Sequence, residues 1–417
     1  MSYINRIIEA DLSQKLAASG AVLIEGPKSC GKTETAKQFA KSVVEMDRDM
    51  QVPVVMATNP QLLLTGATPR LIDEWQEQPE IWNYVRHEVD DRKAKGQFIL
   101  TGSANPNDNV KLHSGAGRFT GVRMDTMSWQ ELGYSSGLVK VSDLLQGAIP
   151  DFYEAGISLD FIIDKIIIGG WPALLNESAK NAIIMNSGYV DLLCEVDMSR
   201  VAGVKRDPLK VQSLLRSLAR NTATLVDNKT LEKDVKTSER NELSRNTISD
   251  YLDALARLMI LEEQPAFNPH IRSSAALRKA AKRHLCDPSI AVAALGLDQD
   301  ALKKDLNYTG FLFESLAMHE LNVYARANDA RVFHYNDSYG LEIDAIVQKR
   351  NGHYAAFEIK LGVGYIEEAA QNLKKFERTI DATKMELPKS LNIITGTGMS
   401  YRRPDGIHVI SLASLGK

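Results

Sequence analysis

The chain has 417 residues, 44% of them hydrophobic and 25% charged, with a net charge of -3 and a mean hydropathy of -0.22. That length is too great for one ordinary core and suggests about three units. The composition excludes a disordered polymer and a chain built of membrane spans, and the weak acidic balance confines any nucleic-acid contact to a local basic surface.

The opening MSYINRIIEADLSQKLAASG reads as an amphipathic helix closed by glycine, not as a secretory signal. The most apolar run, FIIDKIIIGGWPALL, is interrupted by Asp164, Lys165 and Pro172 and is too short to cross a bilayer. Cys30, Cys194 and Cys286 are far apart and odd in number, which excludes a disulfide framework or a clustered thiolate metal site and fits a reducing compartment. The expectation is a cytoplasmic protein without a membrane partner.

Apolar Ala21–Glu25 runs directly into GPKSCGKT, Gly26 to Thr33. A strand must stop there, turn so that backbone N–H groups converge on phosphate oxygens, and continue as the helix ETAKQFAKSV, whose positive end faces the same anion. Gly26 and Gly31 permit that turn. Lys32 places an ammonium on the β- and γ-phosphates, and the Thr33 hydroxyl is the ligand type that a phosphate-bound Mg²⁺ takes from such loops. The expected nucleotide-binding set is Gly26, Pro27, Lys28, Ser29, Cys30, Gly31, Lys32, Thr33 and Glu34, with ATP and Mg²⁺ as ligands. Cys30 leaves two readings open: a small residue tolerated at a variable position, or a thiol whose oxidation affects nucleotide binding.

Further strands are predicted at Val43–Met46, Pro69–Ile72, Gln97–Leu100 and Phe119–Met127, with helices or loops between them. Such alternation implies a mostly parallel sheet covered by helices, with ligands at the carboxyl ends of its strands. The strand ending in Asp73-Glu74-Trp75-Gln76 supplies Asp73 as the expected Mg²⁺ carboxylate and Glu74 as the base that polarises the attacking water. After Phe98-Ile99-Leu100, Ser103 is the first choice for a γ-phosphate sensor, with Thr101 and Asn105 behind it; a polar glycine turn is the alternative. Arg118, and less so Arg123, are candidates for a guanidinium that reaches the γ-phosphate in cis or from a neighbouring subunit.

From Val139 to Asn221 the pattern is mainly helical, broken at Gly169-Gly170 and Pro172, and reads as a lid or connector. DPLKVQSLLRSLARNT, TLEKDVKTS and SRNTISDYLDALARLMILEEQPAF then make a winged-helix pattern, with Ser244 as helix cap. If that third helix entered a DNA groove, Arg245, Asn246 and Thr247 would face the bases with Arg240 near phosphate. Asp250, Asp253 and the apolar stripe suit a structural or protein-contacting role equally. The basic run Arg278 to His284 is a solvated face or a phosphate contact.

Two C-terminal strands, Leu341–Gln348 and Ala355–Leu361, flank a hairpin turn signal at Asn351-Gly352. A two-residue loop would set Asp344 across from Ile359, whereas a three-residue loop with left-handed Gly352 sets Asp344 across from Glu358 and Glu342 across from Lys360. The second is predicted, because the first places carboxylates on the face its partner uses for apolar packing. Asp344, Glu358 and Lys360 then match the metal-binding pattern of the PD-(D/E)-x-K phosphodiesterases, and Glu314, on the apolar stripe of GFLFESLAMHEL, needs a buried partner that a metal or Lys360 would supply. A salt-linked core without catalysis is the competing reading.

Taken together, GPKSCGKT, LIDEWQ, FILTGSA, GAGRF with SWQELG, GGWPALL, GFLFESLAMHEL and the pair LEIDAIV and AAFEIKLG resemble bacterial and archaeal AAA-class P-loop ATPases that carry a C-terminal domain of unknown function with a nuclease-like core. The resemblance covers nearly the whole chain and implies ATP and Mg²⁺ binding at Gly26–Thr33 and Asp73, but no substrate. The expected fold class is α/β: a P-loop AAA-type parallel sheet over 1–135, a helical connector over 136–204, a winged helix over 205–268 and a restriction-endonuclease-like domain over 269–417. The expected function is Mg²⁺-dependent ATP hydrolysis coupled to DNA binding or processing. The alternative is a nucleotide switch with an inactive nuclease-like domain that binds DNA, a protein partner or a further copy of itself.

Overall fold

The computed structural model describes residues 3–102, 114–148, 152–154, 156–239, 242–268 and 281–417. It begins with helix α1 (Glu9–Ala18), strand β1 (Ala21–Glu25), α2 (Lys32–Phe39), β2 (Ser42–Glu45), α3 (Val52–Thr58), β3 (Arg70–Asp73), α4 (Ile81–Arg92), β4 (Phe98–Gly102) and β5 (Phe119–Arg123). The strands form one five-stranded sheet in the order β2-β3-β4-β1-β5, and every pairing is parallel. Alternation along the strands supplies two apolar faces. Val22, Ile24, Leu71 and Ile99 pack with Leu12 and Leu16 of α1 and Ala36 of α2. Ala21, Ile72, Phe98 and Leu100 pack with Ile81, Trp82, Val85 and Val89 of α4.

The middle of the chain is helical: α5 (Leu159–Ile168), α6 (Ala179–Leu192), α7 (Pro208–Arg220), α8 (Asn228–Asp234) and α9 (Arg245–Arg257). Side-chain caps at Ser158, Ser178, Asp207, Asp227 and Ser244 start these helices. Strands β6 (Leu261–Gln264) and β7 (Lys282–Leu285) then pair antiparallel. The second strand of this ribbon lies beyond residue 268, where the sequence pattern closed that unit.

After α10 (Pro288–Leu295), the long helix α11 (Leu306–Ala327) leads into β8 (Ala330–Asn336), β9 (Glu342–Lys349), β10 (Tyr354–Lys360), α12 (Ile366–Thr379), β11 (Leu391–Thr395), β12 (Tyr401–Arg402) and β13 (His408–Ser411). These strands make a six-stranded mixed sheet in the order β12-β13-β11-β10-β9-β8. Leu312, Phe313 and Leu316 of α11 cover one face over Ala345, Val347, Phe357 and Ile359. Ala369, Leu373 and Phe376 of α12 cover the other over Ile343, Ile346, Tyr354 and Ala356. Ile343 and Ile346 share a face because the β9–β8 register shifts between them. The β8 edge is capped by the chain leaving β6, where Phe267 N–H donates to the His334 carbonyl at 2.6 Å and His334 N–H to that of Pro265 at 2.9 Å. No helix among the described residues is long and apolar enough to cross a membrane.

One extended segment, 124–131, joins the two sheets. Its Met124 N–H donates to the Glu25 carbonyl at 2.7 Å and its Met127 N–H to that of Gly170 at 2.7 Å. The Thr126 hydroxyl donates to Asp287 at 2.8 Å and meets His319 at 2.9 Å, and the Trp129 N–H reaches both Glu320 oxygens at 3.0 Å. Burial pulls the His319 pKa down, but the hydrogen bond to Glu320 and the surrounding carboxylates outweigh it and hold His319 at about 8. The Glu320 carboxylate also accepts from the Tyr324 hydroxyl at 2.5 Å. Replacing Glu320, which is 1% exposed, with alanine strands all three donors. The expected loss is about 3–5 kcal/mol, read as a lower urea midpoint by tryptophan fluorescence; an unchanged midpoint removes this seam as a source of stability.

Candidate nucleotide site

All five strands of the parallel sheet point their carboxyl ends to one edge, and Gly26–Thr33 lies there between β1 and α2. Gly31 holds φ at +102° as the cap of α2, a conformation that glycine adopts without strain. A Cβ on Gly26 would lie 2.2 Å from the Met124 carbonyl oxygen, so that position tolerates no side chain. Lys32 is buried, and its ammonium donates to the carbonyls of Gly26 at 3.0 Å and Pro27 at 2.9 Å. Lys28 and Ser29 are exposed on the outer turn, and Cys30 is fully buried with its thiol toward the Met124 carbonyl. Glu34 faces solvent and pairs loosely with Lys37 at 3.5 Å.

Asp73 ends β3 beside the loop. Its Oδ1 accepts from the Thr33 hydroxyl at 2.8 Å and from the Thr101 hydroxyl at 2.5 Å. Two hard oxygen donors from Thr33 and Asp73 next to a phosphate loop fit Mg²⁺. Glu74 follows in the left-handed region, with φ +52°, a strained geometry for a non-glycine residue. Burial raises the Glu74 pKa, against opposing pulls from a short hydrogen bond to Gln76 and from the Lys32 charge. A carboxylate raised in this way is a better proton acceptor.

The remaining sensor candidates distribute differently. Thr101 reaches the site through Asp73. Ser103 and Asn105 lie outside the described residues, as do Arg240 and Arg278. Arg118 precedes β5, and Ala21 N–H at the start of β1 donates to its carbonyl at 3.1 Å. It therefore sits at the amino-terminal edge of a parallel sheet, about five residues or 16 Å of strand away from the loop, and its guanidinium pairs with Asp90 at 2.8 Å. A role in cis is corrected by this placement, because strand direction puts Arg118 on the wrong edge. Arg123 ends β5 on the loop side but pairs with Glu262 at 2.6 Å.

Arg6 is a participant that the sequence pattern did not single out. Buried, it donates to the Cys30 carbonyl at 2.8 Å, the Asp125 carbonyl at 2.8 Å and Glu131 at 3.0 Å. The helix-like reading of the first twenty residues gave it no partner. From the helical region, Asp197 pairs with Lys28 at 3.3 Å.

In the mixed sheet, the β9–β10 loop has three residues. Lys349 N–H donates to the His353 carbonyl at 2.9 Å, and Gly352 holds φ at +92°. The register Ala345↔Phe357 and Val347↔Ala355, continued toward the open end, sets Asp344 across from Glu358. The structure brings Asp344, Glu358, Lys360 and Glu314 together. It also adds Lys282, which is buried rather than part of a solvated run, because alternation along β7 turns Lys282 and His284 inward and Arg283 outward. Lys282 pairs with Glu314 at 2.7 Å and Glu342 at 2.7 Å and lies 3.6 Å from Asp344. Lys360 pairs with Asp344 at 3.0 Å and Glu358 at 2.7 Å. Glu342 thus pairs with Lys282 and not with Lys360.

Two ammonium groups already occupy the space between these carboxylates, so the donor set does not fit a divalent cation. Among the described residues no group of three His, Cys, Asp or Glu side chains is arranged to hold one. Burial lowers the Lys282 pKa, but Glu314, Asp344 and Glu342 more than reverse that and leave it raised. Burial and then the Asp344 charge push Glu358 up to about 8 and Glu314 up to about 7. In α9, Arg245 pairs with Glu232 at 2.8 Å and Asp250 with Arg206 at 2.9 Å.

Comparison with known proteins agrees with the N-terminal geometry. Residues 18–133 match the model of an AAA domain, residues 160–301 a domain of unknown function (DUF8612), and residues 309–415 a domain of unknown function (DUF4143). The chain carries an AAA-type P-loop ATPase domain followed by two domains of unknown function. It is 25% identical over 362 residues to an uncharacterized protein of Mycobacterium tuberculosis, covering 84% of this chain and 72% of that protein; a Mycobacterium bovis protein matches equally. Among solved structures, the Walker-type ATPase PABY2304 of Pyrococcus abyssi is similar over 70% of this chain and 96% of that one, at 11% identity and a TM-score of 0.42. A Thermotoga maritima RuvB mutant is similar over 73% and 96%, at 15% identity and a TM-score of 0.28.

The buried cluster generates a pH prediction. Glu358 has a raised folded-state pKa, so between its ordinary value and about 8 the unfolded chain sheds a proton that the folded chain keeps. Stability is therefore expected to fall by a few kcal/mol as pH rises through that window and to level off above it. Urea titrations at several pH values check this; Glu358→Gln should flatten the slope, and a wild-type curve already flat contradicts it.

Proposed function

We propose that this AAA-type domain hydrolyses ATP with Mg²⁺, and that its nucleotide state is felt by the C-terminal module through segment 124–131. The observation that carries the reading is the Thr33 hydroxyl against Asp73 at 2.8 Å, beside the buried Lys32 at the carboxyl edge of the sheet. On binding, Lys32 exchanges the Gly26 and Pro27 carbonyls for phosphate oxygens, and the loop amides take the remaining charge. Thr33 and Asp73 would hold Mg²⁺, whose charge would offset that of the phosphate oxygens. Thr101 fixes the Asp73 carboxylate, Glu74 accepts the proton of the attacking water, and Ser103 senses the γ-phosphate. Arg118 contributes only if a neighbouring copy presents it.

For the C-terminal module the proposal is a restriction-endonuclease-like fold without nuclease chemistry, a reading supported by the two ammonium groups, Lys282 and Lys360, already paired with its carboxylates. Helices α7–α9 with the β6–β7 ribbon form a winged-helix-like unit that contacts protein rather than bases, supported by the Arg245–Glu232 and Arg206–Asp250 pairs.

Phosphate release and nucleotide binding test the first reading. Lys32→Ala is expected to lose both, and Glu74→Gln to bind ATP while turnover falls by about 10²–10⁴-fold. A Glu74→Gln protein at the wild-type rate removes Glu74 as the base. Plasmid DNA with Mg²⁺ or Mn²⁺ should stay intact, and cleavage that Asp344→Ala abolishes would refute the ammonium-filled reading.

A further inference from the structure

A cleft of about 1320 Å³ opens between α1, the free edge of β5, the start of β8 and the β9–β10 turn, and its described lining includes neither the phosphate loop nor the carboxylate cluster. Its charge is one-sided. Lys15, Arg123, Lys140, Arg326, Arg331, Lys349, Arg350 and Lys417 line it, against two side-chain carboxylates among the described residues, Asp11 and Asp329. Those two are already neutralised, Asp11 by Lys15 at 2.7 Å and Asp329 by Arg350 at 3.0 Å. Arg123 and Arg326 are held from behind by Asp125 and Glu262. Lys140, Arg331 and Lys349 have no carboxylate within ion-pair distance among the described residues, and Lys140 and Arg331 are exposed. In a chain of net charge -3, such a concentration of uncompensated cations on one concave wall is placed there against like-charge repulsion.

We propose that this cleft binds the phosphate backbone of double-stranded nucleic acid. Neutral donors stand among the cations: Gln14, Gln130, Ser142, Asn328 and Gln348, the side-chain types that join Lys and Arg on phosphate and sugar oxygens. Among its described lining residues Phe333 is the one aromatic, which gives little platform for stacking unpaired bases and favours a duplex over a single strand. Those described residues also include no Trp or Tyr of the kind that anchors a protein interface. The contact is therefore independent of sequence and driven by counterion release.

Fluorescence anisotropy of a labelled mixed-sequence DNA duplex, titrated with full-length protein over a range of KCl, tests this. Three uncompensated cations predict a slope of log affinity on log salt near about -3. The double variant Arg331→Glu, Lys349→Glu should weaken binding at least tenfold with ATP turnover unchanged, and Lys140→Ala should reduce the slope by about 1. Tighter binding to the same sequence as a single strand, a salt-independent affinity, or equal binding by the double variant each overturns the proposal. So does binding abolished by Arg245→Glu yet indifferent to the cleft variants, which moves the contact to α9, or capture of an acidic peptide with the duplex excluded, which makes the partner a protein.

Discussion

A single buried guanidinium organises the nucleotide end of this molecule. Arg6 holds the Cys30 carbonyl at the back of the phosphate loop, the Asp125 carbonyl in the linking segment, and the Glu131 carboxylate, which in turn accepts the N–H groups of Ile7 and Ser128. The phosphate loop must present its amides outward, so the carbonyls on its inner side need donors from elsewhere. Arg6 supplies one, Lys32 supplies two, and the Met124 backbone fills the remaining space against Gly26. Removing a charge from such a buried set leaves its partner uncompensated, which is why these contacts constrain geometry more than they add stability.

From that anchor the constraint passes along a short extended path. Segment 124–131 touches the loop at Met124, the Gly169-Gly170 break at Met127, Asp287 and His319 at Thr126, and Glu320 at Trp129. Each contact is a backbone or buried polar hydrogen bond, and the path ends on α11. The same helix carries Glu314, and Glu314 meets Lys282 from the ribbon. The apolar core follows this route, since one cluster runs from Ile7 through α5 and α10 to Leu415.

The two charged clusters differ in kind. At the phosphate loop, Thr33 and Asp73 leave oxygen donors facing the place where phosphate arrives, and Lys32 rests on carbonyls that it can exchange for better acceptors. In the mixed sheet, Lys282 and Lys360 are bound to carboxylates that they cannot improve on. Equivalent residue types thus serve binding in one place and internal neutralisation in the other, and the difference lies in which side chains the tertiary fold adds.

Much of the architecture was legible in the chain. Five apolar segments separated by helical patterns required a parallel sheet, and strand-to-helix continuity through Gly26–Thr33 placed the phosphate loop at its carboxyl edge. The three-residue turn at Arg350-Asn351-Gly352 followed from keeping carboxylates off the apolar face, because side chains alternate with period two and a one-residue slip would invert them. Local pattern could not show which way distant charges point. Lys282 reads as part of a basic run until β7 pairs with β6 and turns it inward; Arg118 reads as an arginine near a strand until parallel pairing puts it on the far edge; and Arg6 has no sequence signature because its three acceptors are supplied by residues 24 to 125 positions away. The sequence by itself determined periodicity, turn chemistry and the phosphate loop, all set by neighbours within a few residues. Only the tertiary structure decided which buried charges meet, because burial in low dielectric makes pairing obligatory while leaving the choice of partner to the packing of remote segments.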